Sequence, residues 1–530
     1  MKNELTITRI EPSGVPEAVK DQLSRGGRLI YASGVDRGVE GIKVDYYFGF
    51  DHLEKGRHTI LRTYLDRENP DVASVTPITM QADWSERELI EFLGVNPVDH
   101  PDPRHLWLPL NWEDMYKSQV QEEYGPDSRP VVTKKSDDKI HGNVLAIPVT
   151  VVPYGPYHPA FIESNYFKMS VEDEIVKNAD LKLGFNHRSV IKLMERRDYF
   201  KDVFLAERIC GFCNAHQSLT FAMAAEDIGG VEVPERANLI RSMLFELERI
   251  QSHLLAIGLI GDLMGFRTMF MHSLRIREDI QDCLEYISGQ RVTHGLGTVG
   301  GVRRDITDHQ ADFVLSKVKS ARKGAMEMFD QATSNDVLVG RLTNVGKLSY
   351  DDVVDLGAVG PTARASNWNI DVRKNTPYAA YEDIDWDVIT ETGGDCMARM
   401  KVKMREVLMA LHIIDQCCER LKAKKGNILV PVSQFNCGEA IAKSEAPRGE
   451  LVYHVSSDGT NTPEYVRIRT PTFRIAHIML MMMYGVHVGD VPAIIGSIDP
   501  CYSCTDRLTI IKDGKSESVD MRTLAGGRKK

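Results

Sequence analysis

Two Cys-x-x-Cys pairs constrain this chain more than any other feature. Cys210 and Cys213 lie in Glu207-Arg-Ile-Cys-Gly-Phe-Cys-Asn-Ala-His216, Cys501 and Cys504 lie in Asp499-Pro-Cys-Tyr-Ser-Cys-Thr-Asp-Arg507, and 287 residues separate Cys213 from Cys501. Each pair can put two thiolates on one ion, and soft thiolate sets select zinc, iron–sulfur, copper(I) or nickel over magnesium and calcium. Zinc ribbons usually close a loop of roughly 15–20 residues between their pairs, and a thioredoxin-like redox pair explains one Cys-x-x-Cys but not both. Spacing alone leaves structural zinc open.

At 530 residues the chain is too long for one core and implies two or three domains. An apolar share of 42% with 26% charged residues is that of an ordinary globular protein. The net charge of -10 argues against a nucleic-acid partner. The first residues lack the apolar stretch of a signal peptide. The most apolar run, Ile475 to Gly485, is shorter than the ~20 residues a membrane span needs; it contains His477 and reads as a buried core helix. The odd cysteine count, nine, suits a reducing cytoplasm rather than a disulfide scaffold.

Residues 1–121 read as a small α/β domain. Strand-like runs begin at Arg28, Ile42, His58 and Ala73, with a turn over 37–41 between the first two. Ser85-Glu-Arg-Glu88 has the form of a capping box, opening a helix whose apolar side carries Leu89, Phe92 and Leu93. The polar, Pro/Gly-bearing stretch 122–142 reads as a linker. From 143 a short β piece leads into a mainly α-helical region, with helices expected over 236–257, 308–333, 395–424 and 472–485 in an all-α core.

The flanks of the cysteines resemble the two signatures of the [NiFe]-hydrogenase large subunit, and the ending in Arg507 resembles the energy-converting, membrane-associated group related to respiratory complex I. Glu86-Arg-Glu-Leu-Ile-Glu-Phe-Leu93, His100, Arg104 and Leu106 resemble the signature of the complex I 30 kDa subunit, with Asn111-Trp-Glu-Asp114 in the place of an aspartate–tryptophan loop. A solvated helix face is the plainer reading of those charges. Pro361 to Arg364, Asp371 to Arg373 and Pro377-Tyr378 resemble a stretch shared with the 49 kDa subunit. The fused order is that of formate hydrogenlyase large subunits, with residues 143–507 as the catalytic region, 1–121 as a docking domain and 508–530 as an extension. Complex I membership brings NAD and quinone binding as family-level features.

The resemblance implies a Ni–Fe centre whose iron carries carbon monoxide and cyanide. Cys210 and Cys501 would be terminal nickel ligands, and Cys213 and Cys504 would bridge nickel to iron. His216 would hydrogen-bond a ligand sulfur, and Gly211 would permit a tight bend between ligands. As a terminal thiolate, Cys501 would be the first proton acceptor in heterolytic H2 cleavage. By the same resemblance Arg448 would overhang the open position as an electrostatic group, and Glu163 would be the relay carboxylate. Where relatives often have His-Arg-Gly-x-Glu, this chain has His187-Arg-Ser-Val-Ile191; the carboxylate on which a magnesium site would rely is missing. Cys283, Cys396, Cys417, Cys418 and Cys437 read as buried small apolar residues.

Electrons would leave through [4Fe-4S] clusters in partner subunits: an iron–sulfur small subunit like the complex I 20 kDa subunit, and a ferredoxin-like one. Integral membrane subunits would hold the chain on the cytoplasmic face, with formate dehydrogenase as a further partner. Rival readings are a complex I-type subunit without hydrogenase activity and a structural zinc scaffold. Complex I-type subunits lack the four cysteines and usually carry a further histidine after the loop that runs here Gly155-Pro-Tyr-His-Pro-Ala-Phe-Ile-Glu163. The family pattern also predicts that a maturation endopeptidase cuts between Arg507 and Leu508 after nickel insertion. Intact-mass measurement of active enzyme should show a chain ending at Arg507; residues 508–530 still attached would contradict it.

Overall fold

The computed structural model describes residues 4–107, 150–158, 163–186, 188 and 190–505, and the backbone of 510–512 and 515–517. The chain divides into two units, one over residues 4–192 with 355–357 and 505–530, the other over 193–354 and 358–504. The linker 122–142, Asn111 to Asp114, His187 and the Arg507–Leu508 bond fall outside the described residues.

In the first unit, four strands pair in the order Glu4–Arg9, Arg57–Leu65, Ile42–Gly49, Arg28–Asp36. Three of them stand where β-branched and aromatic runs predict them. The outer strand Glu4–Arg9, which joins Arg57–Leu65 in parallel, is an addition. The helices Val15–Ser24 and Asp83–Leu93 cover a core that includes Val44, Tyr46, Leu61 and Leu89.

The strand expected from Ala73 to Met80 is not there; only Asp71–Ala73 is extended as a strand. The residues after it bind a carboxylate instead. Glu86 accepts from Ser74 Oγ at 2.6 Å, Val75 N at 2.8 Å and Thr76 Oγ1 at 2.6 Å. The capping box is likewise absent. The helix begins at Asp83, and Glu88 accepts from the Tyr31 hydroxyl rather than from Ser85. Glu91 accepts from Trp107 N, and Arg87 donates to the carbonyl of Arg104 at 2.8 Å. Glu86, Glu88 and Glu91 are buried, so this is not a solvated face. Its charges hold the segment around His100, Arg104 and Leu106, because a buried carboxylate needs several donors.

A second sheet in this unit runs Thr150–Tyr154, Tyr166–Glu172, Ile175–Lys182. It contains the described part of the expected β piece.

The second unit holds the helices that hydrophobic periodicity predicts, over Glu235–Leu263, Asp308–Ser334, Cys396–Ala423 and Pro471–Met483. Asn214–Gly229 and Arg267–Ser288 are further helices. No helix among the described residues is long and apolar enough to cross a membrane. The core is not all-α. An antiparallel sheet of Cys437–Ala446, Gly449–Asp458 and Tyr465–Arg469 packs on the helix Asn214–Gly229. Its first two strands are buried along most of their length, and so lack the in–out alternation that marks a half-exposed strand.

Asp202, on the helix Tyr199–Glu207 that leads into the first cysteine pair, is buried with neither carboxylate oxygen hydrogen-bonded. Burial pushes its carboxyl from 3.8 up to about 9, and Asp198 adds to the effect. Above the unfolded value the folded protein therefore holds a proton that the unfolded chain has lost, so this group's contribution to stability falls as pH rises across that window. Asp202→Asn should raise the unfolding temperature, and by more at about pH 8 than at about pH 5. Calorimetry showing equal gains at both would contradict this protonation.

Candidate metal centre

Cys210 and Cys213 occupy the turn between the helices Tyr199–Glu207 and Asn214–Gly229, and Cys501 follows the helix Val491–Ile498. All four sulfurs come together within the second unit. Cys210 Sγ lies 3.2 Å from Cys501 Sγ, Cys213 Sγ lies 3.4 Å from Cys504 Sγ, and Cys501 Sγ lies 3.2 Å from Cys504 Sγ. Neighbouring sulfurs about 2.3 Å from one ion would sit roughly 3.3–3.8 Å apart in square-planar or tetrahedral arrangement, and a disulfide needs about 2.05 Å. Cys210, Cys501 and Cys504 lie within 4.8 Å of one another, close enough to share an ion, Cys213 joins them through Cys504, and all four cysteines are free and buried.

The thiols cannot all ionise unaided. Hydrogen bonds from Cys213, Cys501 and Cys504 hold Cys210 well below the usual thiol range, whereas burial, followed by its cysteine neighbours, pushes Cys504 well above it. A soft divalent ion at this point would remove that conflict by deprotonating every ligand.

Arg448 sits in the two-residue turn joining Cys437–Ala446 to Gly449–Asp458. The turn packs backbone on backbone. Gly360 has φ +66°, and a Cβ there would stand 2.3 Å from the Arg448 carbonyl oxygen. Gly449 has φ +128°, with the Gly360 nitrogen 2.7 Å from its would-be Cβ. The side chain is buried, not a surface arginine. It donates to Asp499 Oδ1 at 2.9 Å, to the Asp499 carbonyl at 2.5 Å and to Ser252 Oγ at 3.1 Å. Burial opposes its charge; Asp499 and the cysteine sulfurs outweigh that and hold it above its ordinary value.

His216 corrects an expectation. Its Nδ1 is 2.5 Å from Glu248 Oε2, and the ring is fully buried. Burial pushes the imidazole down and the Glu248 carboxyl up, which favours a neutral pair. Glu248 also accepts from Ala215 N and His216 N, capping the first turn of the helix that follows Cys213. Gln217, not His216, reaches the sulfurs. Gly211 corrects another: it does not have positive φ, and a Cβ there would meet only Val292, at 3.6 Å.

Sequence reasoning missed Gln217, Glu248 and Ser252. Gln217 stands one helical turn after Cys213, and Glu248 and Ser252 share a helix face at i, i+4, a spacing that shows which residues meet only once the partners are known.

Glu163 belongs to the other unit, where it is half-buried and its carbonyl accepts from Asn165 Nδ2 at 3.1 Å. Ile191 lies in the short helix Val190–Met194. Cys283, Cys396, Cys417 and Cys418 are buried as expected, and burial pushes the Cys283 and Cys418 thiols up to about 12. Cys437 is exposed, at the start of its strand, and corrects that part of the reading.

A buried ion network surrounds the site. Arg364 bonds Glu406 Oε1 at 2.8 Å and Glu445 Oε1 at 2.7 Å, Glu406 meets His253 Nε2 at 2.8 Å, and Arg373 meets Asp371 and Glu246. Tyr378 OH accepts from Glu445 N at 3.0 Å. The shared 361–378 stretch thus braces the strand that leads into Arg448.

The fold and the four-sulfur site define a large subunit of the type common to complex I and hydrogenases. The model of the 30 kDa subunit of respiratory-chain NADH dehydrogenase matches residues 8–124, that of its 49 kDa subunit matches 263–437 and 428–507, and that of nickel-dependent hydrogenases matches 188–257. Formate hydrogenlyase subunit 5 of Escherichia coli K12 is 34% identical over 98% of this chain and 91% of its own length. Membrane-bound hydrogenase subunit alpha of Pyrococcus furiosus is 38% identical over 70% of this chain and 91% of its own. A chain of an archaeal membrane-bound sulfane sulfur reductase is similar in structure, with TM-score 0.65 and 30% identity, covering 68% of this chain and 98% of that one. This protein belongs to the nickel-dependent hydrogenase family, as an oxidoreductase large subunit of the energy-converting, formate hydrogenlyase type with a fused 30 kDa-like domain.

Breaking a buried ion pair from one side costs about 3–5 kcal/mol. Arg448→Ala, which strands Asp499, should lower stability by about that amount in urea unfolding. A variant as stable as the parent would contradict the pair.

Proposed function

We propose that this chain is the catalytic subunit of a membrane-associated [NiFe]-hydrogenase complex that cleaves H2 heterolytically or forms it from protons. The observation that carries this is the contact of four buried cysteine sulfurs from two distant Cys-x-x-Cys pairs. When bound, the Ni–Fe centre supplies the redox and Lewis-acid chemistry for splitting the H–H bond.

The residues divide the remaining work. Cys210 and Cys501 would hold the nickel, Cys213 and Cys504 would hold both nickel and iron, and the iron would carry carbon monoxide and cyanide. Cys501 Sγ takes the proton first. Arg448, fixed by Asp499 and Ser252, stays charged and orders the open side of the site without acting as a base. Its order matters more than its pKa, because three hydrogen bonds to two residues fix the guanidinium before any substrate arrives. Glu163 is the relay carboxylate.

The chain is built from a docking domain over 1–121, a linker, a catalytic region over 143–507 and a tail removed after Arg507. Electrons pass between this chain and an iron–sulfur small subunit and a ferredoxin-like one, with [4Fe-4S] clusters in those partners. Integral membrane subunits hold the complex on the cytoplasmic face, and formate dehydrogenase supplies electrons. No magnesium is assigned, since Ile191 stands where the carboxylate would be.

Elemental analysis and infrared spectroscopy of the purified complex test this reading. Nickel and iron in equal amounts at this subunit's centre, with carbon monoxide and cyanide bands, are expected. Zinc without those bands would overturn it in favour of a scaffold, and no metal at all would favour a complex I-type subunit.

A further inference from the structure

One side chain reaches two ligand sulfurs at once and has no part in the function described so far. Gln217 follows Cys213 by four residues, so its side chain lies over the turn that carries that cysteine. Its Nε2 is 3.8 Å from Cys213 Sγ and 3.7 Å from Cys504 Sγ. The amide's orientation is set from its other end, where Tyr453 OH donates to Gln217 Oε1 at 2.6 Å. With the oxygen occupied by that donor, the two N–H groups face sulfur, and a thiolate can only accept.

Tyr453 is itself fixed. It lies on the strand Gly449–Asp458 and packs edge-on against Phe221, with ring centroids 6.0 Å apart. Gln217 and Tyr453 are fully buried. Water therefore has no access to compete for these donors, and in a low dielectric each hydrogen bond carries more electrostatic weight.

We infer that Gln217, oriented by Tyr453, is a positioning residue that donates to the Cys213 and Cys504 sulfurs and sets how strongly these two thiolates donate to the metals. The inference rests on the reading of those sulfurs as the Ni–Fe bridging pair. A hydrogen bond to a ligand sulfur withdraws electron density from it, which favours the reduced metal and raises the reduction potential. One carboxamide has two N–H donors, and here two sulfurs lie within reach, so both bridges are tuned by a single group.

The test is the double variant Gln217→Leu/Tyr453→Phe in the intact complex. Replacing both partners of a buried hydrogen bond by apolar groups of similar shape is nearly neutral for stability. The expected result is unchanged nickel content, a more negative reduction potential for the nickel signal, and carbon monoxide and cyanide bands moved to lower wavenumber. A structural role alone would lower stability or metal loading and leave the bands and potential of the loaded fraction where they are; that result overturns the inference. If the double variant takes up no nickel, Tyr453→Phe alone is read in the same way. It keeps the amide but frees its orientation, so a smaller shift in the same direction is expected, and unchanged bands overturn the inference. A parent complex without such bands would instead overturn the hydrogenase reading on which it rests.

Discussion

Everything at the centre of this protein depends on holding four sulfur atoms in contact inside a buried site. Sulfurs 3.2–3.4 Å apart are stable neither as four thiolates, which repel, nor as four thiols, which waste a strong ligand set. The opposite shifts of Cys210 and Cys504 express that conflict. A divalent soft ion resolves it, so metal binding and the closure of a long stretch of chain are one event. The two cysteine pairs, 287 residues apart in sequence, are tied together at this point.

One helix aligns both halves of the site. On Glu235–Leu263, Glu248 caps the helix that follows Cys213, Arg249 donates to the Glu445 carbonyl at 2.5 Å beside the Arg448 turn, and Ser252 accepts from Arg448 itself. Sulfur ligands and the charged group near them are thus referred to one rigid element. Burying so many charges costs desolvation energy, so each is paired or multiply bonded. Arg364 alone joins Glu406 on one helix to Glu445 on the sheet.

How much of this was legible depended on the kind of signal. The cysteine pairs and their flanks were readable because soft-metal ligation needs those residue types at that spacing. The long helices were readable from periodicity. The sheet carrying Arg448 was not, since its first two strands are mostly buried and show no alternation. The segment after Ala73 looked extended because Val75 and Ile78 are β-branched, yet its hydroxyls and amides serve Glu86. His216 and Gln217 are adjacent in sequence, and only tertiary packing decides that the first turns to Glu248 and the second to sulfur. Glu163 and Ile191 were read by position alone: one carboxylate in a loop, and an apolar side chain where relatives often have a glutamate, carry no periodicity or spacing that sequence could display.

The central claim is that one nickel takes its ligands from these four cysteines. X-ray absorption at the nickel edge of the purified complex tests it most directly. The account predicts a nickel environment dominated by four sulfur neighbours, and loss of nickel sulfur ligation on Cys501→Ala or Cys210→Ala. A nickel shell of nitrogen and oxygen, or an unchanged sulfur shell in both variants, would contradict it.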